Sequence, residues 1–130
     1  MKFRSTMLAS SLAIAALAFA AQASAACSYP KAPDQIPDGN KASKEDMIAG
    51  MKTMRAYNDL IKQYTDCLKS EHDAAVAKID PSLDDSKKAK AKEDLDKVWS
   101  QKNDAAVDDA SVVTGRFNEQ IRAYNAAHKS

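Results

Sequence analysis

A chain of 130 residues with 19 basic and 18 acidic side chains, 45% hydrophobic residues and two cysteines has room for one small domain. Its formal net charge of +1 gives no electrostatic reason to seek nucleic acid or an anionic membrane, so neither is expected as a partner.

Residues 1–25 read as a secretory signal peptide. Lys2 and Arg4 supply the positive start, and Met7 to Ala21 is an apolar run too short and too alanine-rich for a membrane span. Ala23-Ser24-Ala25 offers the small-x-small pattern that signal peptidase reads, which places cleavage after Ala25, with the bond after Ala26 as the neighbouring choice. A lipoprotein signal needs a bulky aliphatic residue three places before the cysteine, where Ser24 stands before Cys27. Removing Lys2 and Arg4 and no acidic residue takes the formal charge from +1 to about −1. No later run is long enough to cross a bilayer, so the expectation is a periplasmic or secreted protein with no transmembrane segment after signal removal.

Both cysteines lie in the exported part, where an oxidising compartment lets a disulfide persist. A Cys27–Cys67 bridge is the plain expectation, worth roughly 4 kcal/mol for a loop of about 40 residues in the loop-entropy model. No C-x-x-C pair and no cysteine beside a histidine suggests a redox site.

Residues 26–42 form a proline-rich arm. Pro30, Pro33 and Pro37 rule out a regular helix and favour an extended path, and Ile36-Pro37-Asp38-Gly39 reads as a turn, with proline setting the backbone angle and glycine able to take positive φ. Ser43 is then an N-cap, with Asp46 three residues on completing a capping box, and the first helix starts there. The arm is long enough to double back along that helix and cover a stripe of Tyr57, Leu60, Tyr64 and Cys67, the competing reading being that these tyrosines are ordinary half-exposed helix residues. Met47, Met51, Met54, Ile61 and Leu68 make a second stripe for a neighbouring helix, continuing weakly through Ala75 and Ile79.

Asp80-Pro81 ends the first helix and restarts the chain. From about Leu83 to His128 there is no proline, and Leu95, Trp99, Ala106, Ala110, Val113, Phe117, Ile121 and Tyr124 recur at helical spacing. That spacing is nearer an eleven-residue than a seven-residue repeat, which favours a straight helix over a left-handed coiled coil. The mixed charges of Asp84 to Lys97 read as a solvated face. The expected architecture is all-α: residues 43–130 form an antiparallel hairpin of two long helices, with the extended arm anchored by the disulfide. Pivoting about Pro81 pairs residues whose numbers sum to about 164, so Tyr64 faces Trp99, Met51 faces Val113, Met47 faces Phe117, and Gly50 falls opposite Gly115 as a point of close approach. The competing reading is that Gly115 breaks the second helix. A hairpin with so many alanines has a thin core, which makes self-association as a dimer an expectation beside the disulfide.

The chemistry-bearing residues are sparse. Met47, Met51 and Met54 place three thioethers together, a soft-ligand set that suits copper(I), although methionine also fills irregular helix interfaces. The register puts His72 and His128 at opposite ends, and Glu71-His72-Asp73 does not share one helix face. A haem-attachment C-x-x-C-H, a nucleophile elbow, a zincin motif and a phosphate loop are all missing from the sequence, so no catalytic residue and no cofactor is assigned and the chain is not read as an enzyme.

The opening C-S-Y-P-K-A-P-D-Q-I-P-D-G, the A-Y-N-D-L-I-K-Q-Y-T-D-C-L around Cys67, and the late A-V-D-D-A-S-V-V-T-G-R-F-N-E-Q-I-R-A-Y resemble a group of small, uncharacterised exported helical proteins of Gram-negative bacteria. The resemblance implies paired cysteines and an envelope location, and it brings no activity. Features of known envelope chaperones, a strongly basic surface or L-T-x-x-Q repeats, are not in this sequence. The expected mode of action is therefore contact with an unknown protein partner. Tyr57, Arg116, Arg122 and Tyr124 are the candidate contact residues, since aromatic and arginine side chains dominate interface energetics, while Phe117 is expected in the core. The alternative is a copper-binding protein using Met47, Met51 and Met54.

Overall fold

Ser43 begins the helical part of the protein. Its side-chain oxygen accepts from the Asp46 N–H at 3.1 Å and the Asp46 carboxylate accepts from the Ser43 N–H at 3.0 Å, so two donors that a helix start leaves unpaired are satisfied reciprocally. The computed structural model describes residues 26–129, and the leader assigned to residues 1–25 lies outside the described residues. Helix α1 runs Lys44–Val76 and helix α2 runs Asp85–Ala127. At 1.5 Å per residue they are about 50 Å and 65 Å long. The two pack against each other in an antiparallel hairpin, and no helix among the described residues is long and apolar enough to cross a membrane.

The seam on α1 is made by Met47, Met54, Tyr57, Ile61, Tyr64 and Leu68, all buried. With Gly50 in the empty slot, steps of three and four alternate strictly, which is the seven-residue pattern of a helix seated along one partner. Met51, 40% exposed, and Leu60, 47% exposed, lie on either flank and outside the core. They were indistinguishable from seam residues by hydrophobicity alone, and that is why the two expected stripes merge into one. On α2 the core contribution follows expectation except at Leu95, which is half-buried outside the cluster: Ala106 and Phe117 are buried, and Trp99, Ala110, Val113, Ile121 and Tyr124 pack against it.

The connection explains where the expected register fails. After α1 the backbone tightens, Lys78 N–H bonding to the Ala75 carbonyl and Ile79 N–H to that of Val76. Asp80 then accepts from the Ser82 N–H at 2.8 Å, and Asp84 caps α2 by accepting from the Lys87 N–H at 2.9 Å. His72 sits four residues before the end of α1, yet its partners Asp96 and Trp99 lie eleven and fourteen residues into α2. The chain thus climbs past the end of α1 before α2 begins. Trp99 meets His72 instead of Tyr64, Asn58 meets Thr114, and Phe117 meets Gly50. The shift from the pairing that pivots on Pro81 is three residues at Phe117 and seven to eight at Trp99 and Thr114, one to two helical turns.

The glycines change roles accordingly. Helix α2 is continuous through Gly115, around which there is open space for a Cβ. Gly50 faces Pro37 and Phe117: a Cβ there would lie 2.8 Å from Pro37 Cγ and 2.9 Å from Phe117 Cε2. It marks a close approach, but of the arm and an aromatic ring to α1, and not of two glycines.

Candidate functional site

The arm spans both helices instead of lying on α1 alone. At its start Cys27 is bonded to Cys67, with Cα atoms 5.8 Å apart, and the Cys27 N–H donates to Glu71 Oε1 at 3.1 Å. Glu71 follows Cys67 by four residues and so shares its face of α1. Two residues on, the Tyr29 ring meets Tyr64 edge-on at 5.0 Å between centroids, a favoured aromatic geometry, and the Tyr29 hydroxyl donates to Asp109 on α2. Burial and then the Asp109 carboxylate push the Tyr29 phenol well above its ordinary range.

The arm ends in a turn centred about two residues later than the proline pattern suggests. The Asp38 carbonyl accepts from the N–H groups of Lys41 and Ala42, and its carboxylate accepts from the Asn40 N–H at 3.0 Å. That last bond holds the Asp38 carboxyl below its usual range. Neither Gly39 nor any other described glycine has positive φ. Gly39 is buried against α2, its N–H donating to Gln120 Oε1 at 2.9 Å.

Between these two anchors the arm and α2 form an exposed ridge. Arg116 lies on the walls of two shallow depressions, one of about 250 Å³ shared with Tyr29 and Val112 and one of about 410 Å³ shared with Ile36 and Asp38. Among the described residues its guanidinium has no ion pair and no hydrogen bond. Tyr29 is 47% exposed despite its contacts and Val112 is 54% exposed. An unpaired arginine is thus flanked by an aromatic ring and an aliphatic side chain.

The expected contact residues divide. Tyr57 is only 3% exposed and belongs to the core. Arg122 is exposed but, six residues from Arg116, falls on a different face of α2. Tyr124 stacks on His128 at 4.1 Å, at the open end. Arg116 alone joins the ridge. Tyr29 and Val112 were missed, though an aromatic two residues from an anchored cysteine was a usable signal for Tyr29.

Burial likewise separates the methionines. Met47 and Met54 are in the core, while Met51 is exposed and its Sδ accepts from Arg55 Nη2 at 3.5 Å. The histidines sit at different ends of the hairpin. His72 Nε2 lies 2.7 Å from Asp96 Oδ1 and its ring 5.6 Å from that of Trp99, tying the closed end together, whereas His128 caps α2. The Asp96 carboxyl is held low by a hydrogen bond from Lys92 and then by His72. Trp99 Nε1 is buried without an acceptor among the described residues, a cost for which no contact in the structure accounts. The one convergence of potential metal-binding atoms is at the staple, where the two cysteine sulfurs and a Glu71 oxygen all lie within 4.8 Å of one another among the described residues.

No protein-family model, no curated protein and no solved structure matches this chain.

Proposed function

We propose that the protein is exported and acts without catalysis, by contact with a protein partner along the ridge formed by the arm and α2. The observation that carries this reading is Arg116: a solvent-facing guanidinium with no internal partner, set between Tyr29 and Val112. Arginine and aromatic side chains are the groups that most often dominate binding energy, and a guanidinium without a local acceptor is free to take a carboxylate in a bidentate pair. Eight of the sixteen other lysines and arginines among the described residues are already paired with a nearby aspartate. Lys62–Asp66, Lys69–Asp73, Lys90–Asp94 and Lys92–Asp96 are all four residues apart on one helix, whereas Arg116 is unpaired beside an aromatic ring.

The disulfide supports an oxidising compartment, periplasmic or secreted, because such bonds rarely persist in the cytosol. It also gives the ridge its rigidity. Half of the surface is arm, and an arm held at Cys27 and at Gly39 loses less conformational entropy on binding than a free one. The partner that fits presents an apolar patch with a carboxylate beside it.

Photo-crosslinking from position 112 in intact cells tests the reading. A discrete crosslinked product that disappears in Arg116→Glu supports it. No product, or an identical product in Arg116→Glu, overturns it.

A further inference from the structure

We infer that Cys27, Cys67 and Glu71 form a zinc(II) site when the disulfide is reduced, so that a metal ion takes over from the sulfur–sulfur bond as the anchor of the arm. The ligand atoms of the three residues already lie within 4.8 Å of one another. Zinc is commonly four-coordinate, with thiolate at about 2.3 Å and carboxylate oxygen at about 2.0–2.2 Å, so a tetrahedral ion needs its two sulfurs roughly 3.7 Å apart. The cysteine Cα atoms, 5.8 Å apart, allow that opening by side-chain rotation with little backbone movement. Three protein ligands leave the fourth position to water, and all three residues are half-buried, which admits both the ion and its solvent ligand.

The arm does not depend on the sulfur bond alone to stay where the site requires it. The Cys27 N–H is bonded to Glu71, Tyr29 is held between Tyr64 and Asp109, Pro37 lies over Gly50, and Gly39 is bonded to Gln120. Breaking the bridge therefore leaves both thiols facing each other on opposite sides of the same narrow gap.

The reduction balances with a dithiol as co-reactant. One of its thiolates attacks a bridge sulfur and forms a mixed disulfide. Its second thiolate then displaces the remaining protein sulfur, and two electrons and two protons end on Cys27 and Cys67 while the dithiol closes to its own disulfide. Zinc binding then releases those two protons to solvent, since the ligands are thiolates. A mixed set of two sulfurs and one oxygen suits zinc, whereas an all-thioether set would favour copper(I).

The test is anaerobic titration of the mature chain with cobalt(II) as a spectroscopic stand-in, followed by competition with zinc(II). The reduced protein is expected to bind one equivalent of cobalt with a thiolate-to-metal charge-transfer band that zinc abolishes, and the oxidised protein to show no band. Glu71→Gln keeps an acceptor for the Cys27 N–H but removes the anionic ligand, and is expected to weaken binding at least about tenfold. Glu93→Gln, on exposed α2 surface, is the control and is expected to leave affinity unchanged. Absence of the band in reduced protein that remains helical overturns the site, as does an unchanged affinity in Glu71→Gln. An equal band from the oxidised protein also overturns it.

Discussion

Gly39 lies so close to α2 that a Cβ on it would fall 2.0 Å from the carbonyl oxygen of Gln120, the residue whose side chain accepts the Gly39 N–H. No side chain can occupy that gap while the arm stays seated. The conflict is with backbone, which cannot rotate away as the end of a flexible side chain would.

Gly39→Ala is therefore expected to destabilise the protein by about 2 kcal/mol, the usual scale for overpacking, and to lower Tm by roughly 10 °C. Gly115→Ala is expected to do the reverse. It replaces an exposed mid-helix glycine that has no neighbour within 4 Å, and should stabilise by up to about 1 kcal/mol. Thermal melts of the two variants check both signs.

The same two glycines show what spacing conveys and what it does not. The Ser43 cap, the Asp46 partner and the core face of α2 were legible because each rests on local chemistry or on periodicity within one element, and the disulfide because the chain has only two cysteines to pair. The pairing of Tyr64 with Trp99 was not. It depends on how far the Ala77–Asp84 connection climbs, and turn hydrogen bonds such as that from Lys78 to Ala75 set the climb. Gly50 was visible as a close-approach residue, but what approaches it, Pro37 and Phe117, follows only from the arm's path across both helices. The ridge around Arg116 was half legible: its arginine stood out by type, whereas Val112 gains its role solely from lying beside the arm.

Core truncations discriminate the observed seam from the expected stripes. Phe117→Ala removes a buried ring packed on Gly50 and is expected to cost about 3 kcal/mol. Met51→Ala and Leu60→Ala, on exposed flanks, are expected to stay within about 1 kcal/mol. Urea unfolding of the three variants measures the difference, and a loss in Met51→Ala equal to that in Phe117→Ala would restore the pairing of Met51 with Val113.

Stability should fall on the acid side through the capping carboxylates. Asp46 is held low by hydrogen bonds from the Ser43 hydroxyl and backbone, and Asp84 by those from Lys87. A carboxyl whose folded pKa lies below its unfolded value contributes stability above the unfolded value, and that contribution is lost as pH falls through the folded one. The urea midpoint is thus expected to decline as pH drops below about 4 and to decline less steeply in Asp46→Asn.

On the alkaline side the sign reverses. The Tyr29 phenol is raised by burial and by Asp109, so its contribution is complete below its ordinary value and is lost as pH rises beyond it. Tyr29→Phe removes the hydroxyl bonded to Asp109, and is expected to flatten the decline in stability above about pH 10. Denaturant midpoints at pH 9 and above, in wild type and variant, read this directly.

Replacing either half of the staple should cost more than any single contact in the arm. Cys27→Ser is expected to lower stability by about 4 kcal/mol in the loop-entropy model, with most helix retained in circular dichroism because both caps and the seam of α1 remain.

Two-dimensional nuclear Overhauser spectroscopy of the oxidised chain tests most directly whether the arm and the second helix lie where the structure puts them. Cross-peaks are predicted between the rings of Tyr29 and Tyr64, 5.0 Å apart, and between those of His72 and Trp99, 5.6 Å apart. Cross-peaks joining Trp99 to Tyr64, with none from Tyr29 to Tyr64, would contradict both the path of the arm and the register of the hairpin.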